Sequence, residues 1–277
     1  MIVFLNGKFV PEDQAVVSVF DRSFLYGDGL FETMLVRNGK PFRWEQHLER
    51  FERGAEFVKI RPPFSHDSLR DFVTELVTRN QMPEALLRVT LSRGVGLRGY
   101  SPKGAEHPSL VMSLHPAPAG DGPVRWKLIT SSFRLPANEP LAQFKTCNKL
   151  PQILARAEAD AAGADEALLL NTEGHVVEAA SSNLFWIEDE TICTPPLASG
   201  ILAGVTRAVV LETSRNLGID VRETSITRAA LQQVQGVFLS LSSVGIAEGL
   251  TLDGRSLSRS PLVDQLRNAY AEMLFKF

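Results

Sequence analysis

Three stretches of this 277-residue chain carry the residue types needed for amine chemistry on a carbonyl group. The first is 144–150, where Lys145 precedes an amphipathic run. The second is 176–186, where Glu178 comes directly after two valines and is followed by small residues. The third is 200–207, a glycine-containing loop that opens a helix. We interpret the three as an amine nucleophile, a carboxylate in an apolar setting and a phosphate-binding loop.

Lys145 can attack an aldehyde only while its amine is neutral. The unperturbed pKa of lysine is about 10.4, so burial or a neighbouring positive charge must lower it. Lys149 lies one helical turn further on and could supply that charge. The alternative is a solvated surface lysine, which is the ordinary state of this residue type.

Glu178 and Arg50 each have a functional and a structural interpretation. Glu178 would face a heterocyclic nitrogen and keep a pyridinium protonated, which is what pyridoxal phosphate demands of its protein. Otherwise it is a surface residue at the end of a strand. Arg50 would bind a phosphate through its guanidinium fork. Otherwise it forms a surface ion pair with Glu45 or Glu49.

The run 204–207 and a group of serines are candidates for binding the phosphate. Free backbone N–H groups and the positive end of the helix dipole favour an anion at 204–207, although the same pattern is an ordinary helix N-cap. Ser240, Ser242 and Ser243 follow an apolar strand, and their hydroxyls would hold phosphate oxygens or cap a loop.

The composition excludes several function classes. The net charge of −3 gives no reason to expect a nucleic acid or a membrane surface as partner. Cys147 and Cys193 offer neither zinc spacing nor a disulfide framework, and the histidines are dispersed, so we expect no metal. No Gly-x-Gly-x-x-Gly leads from a strand into a helix, which argues against a Rossmann fold. The N-terminus lacks a signal peptide and no apolar run approaches the length of a membrane helix, so we expect a cytoplasmic protein.

The order of elements indicates an α+β, or mixed-sheet α/β, protein in two domains. A proline- and glycine-rich linker at 117–123 separates a small N-terminal domain, 1–116, from a larger one, 124–277. The predicted helices are 44–58, 69–80, 151–162, 206–217, 226–234 and 261–275. Two hairpins are predicted at 2–10 and 30–42, with a polar loop at 21–29 between them. The other predicted strands are 85–92, 109–114, 124–130, 166–170, 175–178, 184–187, 191–194 and 236–241.

Taken together, these stretches resemble the fold-type IV pyridoxal-phosphate enzymes. That group contains branched-chain aminotransferases, D-amino acid aminotransferases and 4-amino-4-deoxychorismate lyases. The resemblance covers nearly the whole chain and rests on five motifs in the family's order. They are 26–33 (Tyr-Gly-Asp-Gly-Leu-Phe-Glu-Thr), 47–50 (His-Leu-Glu-Arg), 145–148 (Lys-Thr-Cys-Asn), 178–186, and 204–207 (Gly-Val-Thr-Arg).

The resemblance implies a cofactor, a fold and a set of roles. The cofactor is pyridoxal 5'-phosphate, and the fold is a small α/β domain beside a larger one with a pseudo-barrel, usually in a homodimer. Lys145 would be the imine lysine and Glu178 the partner of the pyridine nitrogen. The phosphate would be held by Arg50, by the amides of Val205 and Thr206, and by Ser242 or Ser243.

The lysine and loop regions favour one member of the group. Branched-chain aminotransferases carry a tyrosine five residues after the imine lysine, where this chain has Leu150. D-amino acid aminotransferases carry Arg-x-His where this chain has 98–100, Arg-Gly-Tyr. The runs 92–100 and 164–186 resemble those of the lyases. We therefore favour a lyase that converts 4-amino-4-deoxychorismate to 4-aminobenzoate and pyruvate.

Three residues are the candidates for substrate binding: Tyr26, Arg98 and Tyr100. Arg98 would grip a substrate carboxylate from a glycine-rich loop, and the alternative is a solvated loop arginine. Two other functions stay open. One is a class IV aminotransferase of D-amino acid or branched-chain type, and the other is a non-catalytic protein that binds the same cofactor.

Overall fold

The computed structural model describes residues 1–118 and 122–277, which divide into two compact units. The first unit holds 1–118, 144–148 and Phe277. The second holds the other described residues. Each unit has its own sheet and its own apolar core, and each is described by itself.

The division differs from the predicted domains at the boundary near 116–118 and in the placement of 144–148 and Phe277 in the first unit. The segment that contains Lys145 belongs to the first unit, whereas the sequence placed it in the larger domain, 124–277. The predicted linker at 117–123 lies partly outside the described residues, because these do not include 119–121.

The first unit is an antiparallel sheet with helices. In the described residues its strands are ordered β2-β1-β6-β5-β3-β4. The elements are β1 (Ile2–Leu5), β2 (Lys8–Pro11), α1 (Arg22–Tyr26), β3 (Gly29–Arg37), β4 (Lys40–Pro41), α2 (Trp44–Phe57), α3 (His66–Asn80), β5 (Ala85–Ser92) and β6 (Ser109–Pro116).

Helices α2 and α3 supply the apolar core of this unit. Leu48, Phe51 and Ala55 recur at helical spacing on α2 and are buried with the apolar face of the sheet. Helix α3 begins after Ser65, whose hydroxyl accepts a hydrogen bond from the Ser68 amide and so caps the helix. The helices predicted at both places are therefore present.

The short segment 144–148 lies alongside β3. The Phe31 amide donates to the Lys145 carbonyl at 2.8 Å, and the Cys147 amide donates to the Gly29 carbonyl at 2.9 Å. The Phe144 ring lies 4.7 Å from the Phe57 ring between centroids. These contacts fix the backbone on both sides of Lys145.

The second unit is a mixed sheet with helices. Its elements are β7 (Val124–Leu135), α4 (Leu150–Ala161), β8 (Glu166–Asn171), β9 (His175–Ala179), β10 (Asn183–Glu188), β11 (Thr191–Thr194), α5 (Val205–Asn216), β12 (Val221–Glu223), β13 (Ile226–Thr227), α6 (Arg228–Leu231), β14 (Gly236–Leu241), β15 (Gly245–Leu252), β16 (Arg255–Ser256) and α7 (Pro261–Lys276).

The sheet of the second unit closes into a barrel-like ring. Strand β10 pairs with β14, β14 with β15, β15 with β7, β7 with β8, β8 with β9, and β9 again with β10. The pairs of β7 with β8 and β15 are parallel, and the other pairs of the ring are antiparallel. Leu168, Leu184 and Leu239 of these strands are buried together in one apolar cluster.

Two predictions of local structure were wrong, and some strands were not predicted. The loop predicted at 21–29 contains α1, because the Asp21 carboxylate caps the Ser23 amide and Gly27 ends the helix in the left-handed conformation. The helix predicted at 226–234 is the strand β13 followed by the short α6, and the strand β15 was not predicted. None of the helices in the described residues is long and apolar enough to cross a membrane.

Candidate active site

In the first unit, the amine of Lys145 lies over the ring of Phe31. The distance from Nζ to the ring centroid is 4.8 Å, and Lys145 is half-buried. The guanidinium of Arg88 contacts the same ring, with Cζ 3.4 Å from the centroid. An amine and a guanidinium are thus brought to one aromatic side chain.

Arg88 is half-buried on β5 and makes no ion pair among the described residues. Its Nε donates a long hydrogen bond of 3.3 Å to the Thr90 hydroxyl. Burial lowers the pKa of Arg88, while the nearby Cys147 and Glu32 act to raise it. A partly desolvated guanidinium of this kind is suited to a carboxylate ligand.

Arg50 lies on the buried face of α2 and pairs with Glu32 of β3. Its Nε donates to Oε1 of Glu32 at 2.8 Å, and Nη2 donates to Oε2 at 2.6 Å. His47 lies one turn away, with Nδ1 2.7 Å from the same Oε2. The surface ion pair considered for Arg50 was wrong, because both partners are buried.

The buried pair has consequences for ionisation. Burial alone would raise the pKa of Glu32, but the charge of Arg50 and the His47 hydrogen bond outweigh it and hold the pKa at about 2. Burial lowers the pKa of His47, and the positive charges of Arg50 and Lys145 add to that effect. His47 is therefore neutral at pH 7, and its Nδ1–H donates to the carboxylate.

The three predicted substrate residues meet at one loop. The amide of Gly99 donates to the hydroxyl of Tyr26 at 3.0 Å, and the rings of Tyr26 and Tyr100 lie 5.7 Å apart between centroids. The buried Arg22 donates to the carbonyls of Gly99 and Tyr100 and so fixes the loop. Arg98 itself is exposed, with no hydrogen bond or ion pair among the described residues.

In the second unit, Glu178 is buried near the end of β9 and faces the loop before α5. Its Oε2 accepts a hydrogen bond from the Leu202 amide at 3.0 Å. Gly204 is the N-cap of α5 and supplies no capping side chain. The helix therefore begins at Val205 with backbone amides directed outward, which is the arrangement that binds anions.

The predicted phosphate residues of this unit are partly brought together. The hydroxyls of Thr206 and Ser242 lie 3.5 Å apart, at the start of α5 and in the turn after β14. Ser243 is half-buried in the same turn. Two further buried hydroxyls, of Ser182 and Ser240, make no hydrogen bond within the described part of the chain. Buried polar atoms without partners are typical of a site that takes a ligand.

Several side chains at these places were missed by the sequence analysis: Glu32, His47, Arg88 and Asn183. Glu32 left a signal, because it stands in the apolar strand 30–36, where a buried carboxylate requires a cation. Arg88 left a similar signal within β5. Asn183 left none, since an asparagine at the start of a strand is common and its neighbours come from other elements, as in the pairing of β10 with β9 and β14.

The comparison with family models finds one family. The model described as amino-transferase class IV matches residues 29–249. A protein of Methanocaldococcus jannaschii, provisionally named a branched-chain-amino-acid aminotransferase, is 35% identical over 259 residues, which cover 93% of this chain and 90% of that protein. The aminodeoxychorismate lyase of Vibrio harveyi is 34% identical over 240 residues, which cover 84% of this chain and 86% of that enzyme.

A similar fold is found among solved structures. The branched-chain aminotransferase of the thermophilic archaeon Thermoproteus uzoniensis, crystallised with norvaline, superposes with a TM-score of 0.92 at 30% identity. The alignment covers 100% of this chain and 95% of that one. Another structure with the same fold is a branched-chain amino acid aminotransferase crystallised with pyridoxamine 5'-phosphate. The predicted mixed α+β fold class is thereby confirmed.

Proposed function

The chain belongs to the class IV amino-transferase family, and from that premise we propose that it is an aminodeoxychorismate lyase. The resemblance stated from the motifs is thus confirmed, and the chain is an enzyme that uses pyridoxal 5'-phosphate. The proposed reaction converts 4-amino-4-deoxychorismate to 4-aminobenzoate and pyruvate. It is supported by the similarity to the Vibrio harveyi lyase and by Leu150, which stands where branched-chain aminotransferases carry a tyrosine.

One observation carries the proposal: the amine of Lys145 and the guanidinium of Arg88 contact one ring. A substrate that carries an amine and carboxylates would be oriented by Arg88 while Lys145 acts on the carbon that bears the amine. Nζ of Lys145 takes the proton from that carbon, the C–O bond to the enolpyruvyl group breaks as the ring becomes aromatic, and a proton added to the methylene carbon of the departing group gives pyruvate. The substrate has two carboxylates, so Arg98 in the loop 93–100 is proposed to bind the second.

In each unit, certain residues are proposed to bind the cofactor. In the first, Arg50 is proposed to bind the phosphate, its guanidinium held by Glu32. In the second unit, Glu178 would keep the pyridine nitrogen protonated. The start of α5 would bind the phosphate. The candidates at the phosphate are Val205, Thr206, and Ser242 or Ser243. When bound, the cofactor supplies an electron sink for the carbon that loses its proton.

The test is turnover without an amino acceptor. Protein loaded with pyridoxal phosphate is given 4-amino-4-deoxychorismate and no 2-oxo acid. Chromatography measures 4-aminobenzoate, and a coupled dehydrogenase measures pyruvate. We expect equal amounts of both products, and none with Lys145→Ala. Absence of 4-aminobenzoate from the wild type would contradict the lyase proposal.

A class IV aminotransferase is the second candidate, favoured by the identity with the Methanocaldococcus jannaschii protein. In that reaction Lys145 would take the proton from the carbon that bears the amine and return a proton without the elimination of a leaving group. The amino donor would be a D-amino acid or a branched-chain amino acid, with 2-oxoglutarate as acceptor. Turnover of such a pair by protein that makes no 4-aminobenzoate would decide for this function.

We further propose a homodimer in the cytoplasm, the compartment that suits two cysteines without a disulfide. In the first unit, an apolar surface lies exposed on 16–25 and 95–100. Its exposed members are Val16, Val17, Val19, Phe20, Phe24, Leu25, Val95, Leu97 and Tyr100. The Arg22 amide donates to the Gly94 carbonyl at 2.9 Å and joins the two segments. A group of exposed apolar side chains of this kind is suited to a second copy of the chain.

Light scattering after size exclusion tests the assembly. Phe24→Asp should convert the dimer to a monomer, because a carboxylate would be buried without a partner. Phe275→Asp is the matched control, since Phe275 is similarly exposed but lies in the second unit on α7. A monomeric wild type, or a dimeric Phe24→Asp protein, would contradict this assignment of the surface.

A further inference from the structure

A row of polar side chains crosses three neighbouring strands of the second unit. Glu178 of β9 is paired with Asn183 of β10, and Asn183 is paired with Ser240 of β14. Directly paired residues place their side chains on the same face of a sheet. All three are buried, with exposed fractions of 8%, 5% and 2%. The row therefore presents a carboxylate, an amide and a hydroxyl on one face.

Asn183 and Glu178 hold the same residue from two sides. The Nδ2 group of Asn183 donates to the Leu202 carbonyl at 2.9 Å, and the Leu202 amide donates to Glu178 at 3.0 Å. The orientation of Leu202 is thus set by two adjacent side chains of the sheet. Loss of the Asn183 hydrogen bond to the Leu202 carbonyl would therefore also disturb the Leu202 amide that donates to Glu178.

The amide oxygen of Asn183 lies against Gly204, the N-cap of α5. A Cβ atom on Gly204 would lie 1.9 Å from that oxygen. The φ angle of Gly204 is −66°, which any residue adopts, so glycine is required here by space and not by conformation. Asn183 therefore determines the path of the chain from Leu202 into the first turn of α5.

We propose that Asn183 is a positioning residue for cofactor binding, acting through the backbone of Leu202–Gly204. It aligns the first amides of α5 with the phosphate and keeps the Leu202 amide on Glu178. This inference rests on the cofactor assignment made in the proposed function. An asparagine that only satisfied buried backbone groups would contribute to stability and leave phosphate recognition unchanged.

The test compares two ligands, pyridoxamine 5'-phosphate and pyridoxamine, which differ only in the phosphate. Calorimetry on the cofactor-free protein gives both dissociation constants. The wild type should prefer the phosphorylated ligand by about a hundredfold or more. In Asn183→Ala that preference should fall about tenfold. Asn80→Ala is the matched control, because Asn80 bonds backbone groups of Ile2 and Leu76 in the first unit.

Gly204→Ala is a second variant that leaves Asn183 in place and displaces its amide. It should lose the phosphate preference in the same way, and it decides the question if Asn183→Ala does not fold. If Asn183→Ala or Gly204→Ala folds and keeps the wild-type preference for the phosphorylated ligand, the positioning role of Asn183 is overturned, and the proposed phosphate site is not. A wild type with no preference for the phosphate overturns the phosphate site of the proposed function, and this inference with it.

Discussion

Glutamine in place of Glu32 should lower the free energy of unfolding by about 3.5 kcal/mol at pH 7. The carboxyl pKa is 4.5 ordinarily and about 2 in the folded protein. Each unit of that difference is worth about 1.4 kcal/mol. Glutamine has the shape of the protonated acid but cannot neutralise Arg50, which it leaves buried. The result agrees with the range of about 3–5 kcal/mol for breaking a buried ion pair.

The pH dependence has a definite sign. Because the folded pKa is lowered, the stabilisation is fully present above pH 4.5 and is lost as the pH falls towards 2. Glutamine does not titrate, so the difference between wild type and Glu32→Gln should shrink on acidification. It should be about 2 kcal/mol at pH 3.5.

Urea unfolding of the cofactor-free protein, followed by circular dichroism and tryptophan fluorescence, measures the difference. Glu75→Gln is the control, because Glu75 pairs with Arg79 on the surface of α3 at 2.7 Å with both side chains about half exposed. It should change the stability by less than about 0.5 kcal/mol. Equal losses in the two variants, or a loss at Glu32 that is the same at pH 7 and pH 3.5, would refute the reasoning.

Further predictions concern the reaction. Lys145→Ala should abolish turnover and the visible absorption of the bound cofactor while circular dichroism stays unchanged; unchanged absorption would point to another lysine. Glu178→Gln should retain the cofactor in dialysis but lower kcat more than tenfold, which corresponds to about 1.4 kcal/mol of activation free energy. A smaller loss of kcat would indicate that Glu178 has a structural role only. Arg88→Ala and Arg98→Ala should each lower kcat/KM about a hundredfold or more with unchanged cofactor affinity. Wild-type kinetics in either arginine variant would remove that residue from the site.

The fold was largely predictable where one element carries a whole pattern. Helices α2 and α3 lie where the sequence predicted helices, and β5 and β14 agree with their predicted bounds. The wrong predictions concern elements too short to show a repeating apolar pattern. Helix α1 has a single turn, which a cap and a terminal glycine define without an apolar stripe. Such an element depends on its neighbours more than on its own sequence.

The candidate site was predictable only in part, for a similar reason. Motifs in family order singled out Lys145 and Glu178, whose proposed roles await the tests above. The partner of Arg50 could not be read from its helix, because Glu32 lies eighteen residues earlier on a different element. Contacts of this kind depend on which strand face meets which helix, and a local pattern of residues does not contain that information.

The register of β3 determines what surrounds Lys145. Successive residues of a strand point to opposite faces, so Glu32 is directed towards Arg50 while its neighbour Phe31 contacts Arg88 and Lys145. The pairing of β3 with β5, from Gly29 opposite Ser92 to Val36 opposite Ala85, holds that register along the whole of β5. A slip of one residue would exchange the two faces and direct the carboxylate towards Arg88. The length of this pairing therefore protects both the buried ion pair and the group of cations at the candidate site.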